Sequence, residues 1–201
     1  MERCTYSRKG NPRRPGAFGA PLSPAPMPRK PAPLPDSLPA RFTASLVATV
    51  RCTVEHAMLD GDRAEVEQTD VAFDAHVDDG MVRVVGFPEI AAEVETAIGS
   101  VRATVSVDGE PEGSHHAETG HVEVAATLAF DPSSLLARTS RVAVTLQTDA
   151  RLADPKAKGD PLDARNARVV LVGEGTFEGG SLDGGRLGLV LDCTITGIDE
   201  A

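Results

Sequence analysis

Residues 42–54 read F-T-A-S-L-V-A-T-V-R-C-T-V. Phe42, Ala44, Leu46, Ala48, Val50, Cys52 and Val54 fall on one side of an extended chain. Thr43, Ser45, Val47, Thr49, Arg51 and Thr53 fall on the other. A period of two held over this stretch marks a β-strand with one dry face and one mostly wet face. The strand is about twice the usual length, so the rest of the chain is expected to pair with it and to cover its apolar side.

The same alternation recurs down the chain. After the turn Leu59-Asp60-Gly61-Asp62, residues 65–77 return with Val71, Phe73, Ala75 and Val77 on one face, and D-G is a strong hairpin signal. Asp78-Asp79-Gly80 turns again into a strand over 81–87. Val101, Ala103, Val105 and Val107 alternate, as do Val122, Val124, Ala126, Leu128 and Phe130, and then Val142, Val144 and Leu146. A strand over 167–172 is expected to run on past Gly173 and Gly175 with a kink or bulge. The last strand, 186–198, turns Leu187, Leu189, Leu191, Cys193 and Ile195 inward and matches the first in length. The two are natural partners for closing a barrel, which would bring Cys52 and Cys193 near each other.

Three stretches read differently. In residues 89–98, Ile90, Val94 and Ile98 recur every four residues, with Pro88 before and Gly99 after. This predicts one short helix, with a strand as the competing reading. Residues 109–120 read as a polar loop, and 131–136 as a tight connection with one helical turn. Residues 150–166 are the longest irregular stretch of the body, a length often associated with function. The expected fold is therefore all-β, an antiparallel barrel or sandwich of about eight strands with one short helix.

The chain has 201 residues, 41% hydrophobic but only 3% aromatic, so the core is expected to be built from Val, Leu, Ile and Ala. Its net charge of −10 is unevenly spread. Residues 1–40 are Pro-rich and basic, with Arg3, Arg8, Lys9, Arg13, Arg14, Arg29 and Lys30 against Glu2 and Asp36. They are expected to form a disordered tail before a single β domain over 41–201. Met27, just ahead of that domain, is an alternative start. The acidic body speaks against nucleic-acid binding, because phosphates would be repelled. Cys4, Cys52 and Cys193 make no disulfide framework, and a reducing, cytoplasmic setting is expected. No apolar run reaches the length of a membrane span.

Motifs for catalysis are missing from the sequence: there is no G-x-S-x-G, no H-E-x-x-H and no cysteine with an evident histidine partner. His56 and His76 each stand alone. The run Gly173 to Gly180 lacks the third fingerprint glycine and a following helix, so it reads as a turn region, not a dinucleotide site. His115, His116 and His121 lie near Glu110, Glu112 and Glu118, but their spacing matches no structural-zinc pattern, so they are only an outside choice for a metal. Asp60 and Asp62, like Asp154, Asp160 and Asp163, fit turn chemistry better than a calcium loop. No cofactor and no enzymatic activity are expected.

The inward register mixes small residues with large ones, which either fills the taper of a small barrel or leaves a cavity. The candidate ligand-lining residues are Ala44, Leu46, Ala48, Val50, Phe73, Ala103, Val105, Ala126 and Leu128. The expected function is a non-catalytic barrel or sandwich that binds an apolar small molecule or lipid. The alternative is an interaction module that self-assembles, as a homo-oligomer, or docks a protein partner.

Overall fold

The computed structural model describes residues 40–96, 99–116, 121–133, 137–149 and 168–200. These residues are nearly all in strands. In chain order the strands are β1 (Arg41–Glu55), β2 (Arg63–Asp78), β3 (Met81–Val85), β4 (Ile90–Thr96), β5 (Gly99–Val107), β6 (Glu112–His116), β7 (His121–Pro132), β8 (Ser140–Thr148), β9 (Arg168–Glu178) and β10 (Arg186–Glu200). Single turns of 3-10 helix occupy Asp60–Asp62 and Gly180–Leu182. Except for Ala40, the expected tail lies outside the described residues, as does the 150–166 loop; of the connection expected at 131–136, Asp131 and Pro132 instead end β7, and 134–136 lie outside the described residues.

Eight strands close into an antiparallel ring in the order β1-β2-β3-β6-β7-β8-β9-β10, and β10 pairs back on β1. The fold is a barrel and not a sandwich. The register of the terminal strands sets Val50 against Leu191, Cys52 against Leu189 and Ala48 against Cys193. Directly opposed residues share a face, so the dry faces of β1 and β10 both line the interior, and Phe42 through Val54 is buried at every second position. The two thiols do not meet. Cys193 faces Ala48, four residues from Cys52 along β1, or about 13 Å at strand rise, and both are free.

The polypeptide reaches this closure through a bulge and a pair of corners. Between β1 and β2 the register jumps from Ala48 opposite Val71 to Val50 opposite Gln68. Thr69 and Asp70 take up the extra length, with Asp70 at φ 59°, and such a bulge sharpens the bend and twist of its strand. The corners lie side by side. Strand β3 continues as β4 beyond Gly86-Phe87-Pro88-Glu89, and β5 continues as β6 beyond Asp108-Gly109-Glu110-Pro111. Gly86 (φ 72°) and Gly109 (φ 88°) make these sharp turns. Val84 N donates to Pro111 O at 2.9 Å and Asp108 N donates to Thr127 O at 2.8 Å, fixing the corners to each other and to β7.

As a result β7 is shared along one edge, its first half pairing with β6 and its second half with β5. The β4–β5 hairpin leans over one end of the barrel. Its β4 comes close to β2 without a ladder between them, and a bridge joins Thr96 to Leu59 in the β1–β2 connection. The opposite end is plugged by Phe42, Ala44, Val77, Val82, Val122, Val169 and Ile195, all buried.

Two expectations are corrected here. Residues 90–96 form a strand and not a helix, because a repeat of four is also a repeat of two. Ile90 and Ala92 are buried and Ala91, Glu93 and Glu95 are exposed. A ladder from Ile90 opposite Val105 to Thr96 opposite Gly99 satisfies the backbone, whereas an isolated helix this short is marginal in water. Within the expected polar loop, Glu112–His116 forms β6. Its E-G-S-H-H sequence carries no strand signal of its own, and β3 and β7 on either side supply the pairing.

Candidate functional site

The interior is not filled along its whole length. Beyond the plugged end lies a cavity of about 550 Å³. Along β1 it is walled by Val50, Cys52 and Val54, and along β10 by Leu189 and Leu191. Its far wall runs along β7 through Val124, Ala126, Leu128, Phe130 and Pro132, and along β5 through Val101, Ala103, Val105 and Val107. The eight residue steps from Val124 to Pro132 span about 26 Å, so the space is long and runs from the lumen to beneath the β4–β5 hairpin. Ile90, Ala92 and Val94 of β4 cover it. Phe130 packs edge-on against Phe177, centroids 4.8 Å apart, and Phe73 tilts against Phe87 at 5.2 Å, so the rings in its wall are braced from behind or beside.

Of the nine residues expected to line a ligand space, Val50, Phe73, Ala103, Val105, Ala126 and Leu128 stand on this wall. Ala44, Leu46 and Ala48 do not. They are buried toward the plugged end, where β1 is packed against β2 and β10 on the inner face. Alternation assigned the face correctly for all nine, but depth along the barrel depends on where the corners place the hairpin.

Few lining groups are polar. Among the described residues they are Gln68, Thr96, Arg138, Ser140 and Ser181, and none is a carboxylate, lysine or histidine, in a chain with 30 Asp and Glu. Gln68 occupies the inward register below the bulge, opposite Val50, yet it is exposed, because the edge of β2 away from β1 has no ladder partner there. The rim is formed by Ala57, half-exposed Met58, Ala137, Arg138, Ser181 and Leu182. Two connections are stapled at this rim. Arg138 N donates to Ser181 Oγ at 2.9 Å, Ser181 N donates to Arg138 O at 3.1 Å, and Leu182 N donates to Ser140 Oγ at 2.9 Å. Gly180 is required below them, since a Cβ there would lie 2.4 Å from Ser140 Oγ. Arg138 and Ser181 were missed in the sequence because they sit in connections, where no periodicity points to an interior, whereas Gln68, Thr96 and Ser140 stand on β2, β4 and β8.

Burial pushes the thiol of Cys52, on the wall, up to about 12. Burial does the same to Cys193, with help from the nearby Asp192 charge. Both thiols are therefore protonated and poorly nucleophilic at neutral pH.

The other candidate groups are accounted for by their own neighbours. His115 faces inward opposite Val122, while His116 and His121 stack at 6.2 Å, with His121 Nε2 3.9 Å from Glu123 Oε2. Among the described residues no three His, Cys, Asp or Glu side chains gather as a metal site; Glu118, Asp154, Asp160 and Asp163 lie outside those residues. Thr43 Oγ1 and His76 Nδ1 are 2.8 Å apart on the outer face, and Met58 N donates to His56 Nδ1 at 3.1 Å. Gly173 and Gly175 lie within β9 with Val144 and Val142 side chains in the space a Cβ would need, so they serve packing.

A second hollow, of about 670 Å³, lies on the outside of the wall formed by β2, β1, β10 and β9. It is the larger by volume but it is a surface groove, and its cation is already engaged, Arg51 Nε donating to Glu67 Oε2 at 2.7 Å. Farther along the same face Arg168 makes two 2.7 Å hydrogen bonds to Asp192, which hold that carboxyl below its ordinary value. The interior cavity is the stronger candidate. No protein-family model, no curated protein and no solved structure matches the chain.

Proposed function

We propose that this barrel is a non-catalytic carrier or sensor of an apolar small molecule or lipid. The observation that carries the reading is the cavity of about 550 Å³ with a nearly all-apolar wall. That volume is typical of small-molecule sites. Water is a poor filler of such a wall, because each water needs two to four polar partners; an apolar occupant suits it better.

Two further features support the reading. Outward residues of β1 and β10 include Thr43, Ser45, Arg51, Asp192 and Thr194, with the apolar set inside, the reverse of the alternation of a barrel seated in a bilayer. Among the described residues the exposed large hydrophobics are Met58 and Met81, separate from each other in the fold, which is less than an interaction module needs for a docking patch. Met58 instead stands at the cavity rim.

The test is native mass spectrometry of the full chain, then an organic extract of the same sample and a titration with the neutral probe N-phenyl-1-naphthylamine. Ala126→Phe places a ring in the cavity. The expected result is a reproducible adduct of one lipid class, or saturable probe binding, that Ala126→Phe lowers at least tenfold. A bare mass together with no probe binding by the folded protein overturns the proposal.

A further inference from the structure

We infer that the ligand is an amphiphile with a single anionic head, a long-chain carboxylate being the simplest case, held with its head at Arg138 and its tail in the cavity. This inference rests on the apolar-ligand reading above and adds the chemistry of the head. Its ground is the distribution of charge. In a chain of net charge −10, the described cavity lining holds one charged side chain, and that one is a cation at the rim. Among the described residues no carboxylate is paired with the guanidinium of Arg138, nor with those of Arg102 and Arg186, but of these three arginines Arg138 is the one on the cavity lining; Arg41, Arg51, Arg63, Arg83, Arg141 and Arg168 all have acidic partners.

The rim around Arg138 is suited to an anion. Its backbone is held by the reciprocal bonds with Ser181, which fix where the side chain leaves the rim. Ser140, 1% exposed, and Ser181 both line the cavity beside it. Each hydroxyl accepts a backbone N–H, from Leu182 and Arg138 respectively, and each keeps its own proton to donate. A carboxylate accepts on both oxygens, so a guanidinium and hydroxyl donors on the same rim suit it. From this corner the wall continues without a break through Pro132, Phe130, Leu128 and Ala126 of β7, a straight apolar path for a chain. A neutral, compact ligand would leave the cation and both donors unused at the boundary of a low-dielectric space.

The experiment displaces bound N-phenyl-1-naphthylamine from the full-length protein at pH 8 with dodecanoate and, separately, with dodecanol. Dodecanoate is expected to displace the probe at least tenfold more tightly, about 1.4 kcal/mol. Arg138→Gln is expected to erase that preference while leaving probe and dodecanol binding unchanged, and Arg138→Lys to retain part of it. Equal displacement by acid and alcohol overturns the inference and leaves the apolar-ligand reading standing. An unchanged acid preference in Arg138→Gln also overturns it, by placing the head elsewhere. A bare mass together with failure of the folded wild-type protein to bind the neutral probe overturns both.

Discussion

At the level of single residues, the two buried thiols give the sharpest consequence. Cys52 and Cys193 occupy inward positions on adjacent strands, and burial pushes each up to about 12. In the unfolded chain a thiol ionises near 8.5. The folded state thus binds the proton more tightly, so the stabilisation is complete below pH 8.5 and is lost as pH rises toward 12. Unfolding free energy measured in urea is expected to fall by about 1–2 kcal/mol per thiol between pH 8 and pH 10, and the fall should shrink in a Cys52→Ala/Cys193→Ala variant. Equal pH slopes for the two proteins would refute the assignment. At neutral pH, peptide mapping after iodoacetamide treatment should find both cysteines unmodified until urea unfolds the chain. The sequence showed that both thiols face inward, because parity alone decides that. It did not show that they lie apart, because the offset between β1 and β10 is set by the whole barrel, including the register shift at Ser45/Leu46.

At the level of elements, the strands with strong alternation were legible and the weakly patterned ones were not. Strands β1, β7, β8 and β10 each show an apolar face that only a sheet can bury. Strand β4 was ambiguous because Ile90 and Val94 satisfy both periods. Strand β6 was hidden because its inward positions are Gly113 and His115. The glycine there is a packing requirement. A Cβ on Gly113 would lie 1.8 Å from the backbone oxygen of Glu123 and 2.7 Å from the Val124 Cα, in the very strand it pairs with. Backbone cannot swing aside as a side chain can, so relief means parting the β6–β7 ladder. Gly113→Ala is therefore expected to cost about 3 kcal/mol or more, at the upper end of overpacking penalties. Chemical denaturation would read this as a lower midpoint at unchanged slope. A loss under 0.5 kcal/mol would mean that β6 does not sit this closely on β7. The ladder also holds the corner at Pro111 on the cavity wall, so the variant should weaken probe binding as well.

Across the whole molecule, one pairing joins the first and last described strands. Strand β10 is bonded along its length to β1 on one side and, over Arg186 to Thr194, to β9 on the other, and the β1 contact spans most of the sequence. The likeness of the two terminal strands was visible in the sequence, and so was their pairing. The cavity between them and the hairpin was not, since a void is a property of distances and not of alternation; the small residues Ala103 and Ala126 were its one trace. Contacts so distant in sequence put the fold in the slow class, with refolding on the millisecond-to-second scale. They also make the last strand indispensable. Leu187, Leu189, Leu191, Cys193 and Ile195 of β10 are all buried. At about 1.5–3 kcal/mol for each large side chain, the four aliphatic residues alone contribute about 6–12 kcal/mol, which equals the net stability of a typical domain. Removing them would also open β1 and β9 as bare edges. A chain ending at Gly185 is therefore expected to show no cooperative urea transition, and to lose the near-native strand signal in circular dichroism. A cooperative transition with native-like strand content in that truncated chain would mean that β9 can close directly on β1. The barrel would then tolerate seven strands, and its cavity would have to shrink, which the N-phenyl-1-naphthylamine titration would register as lost binding.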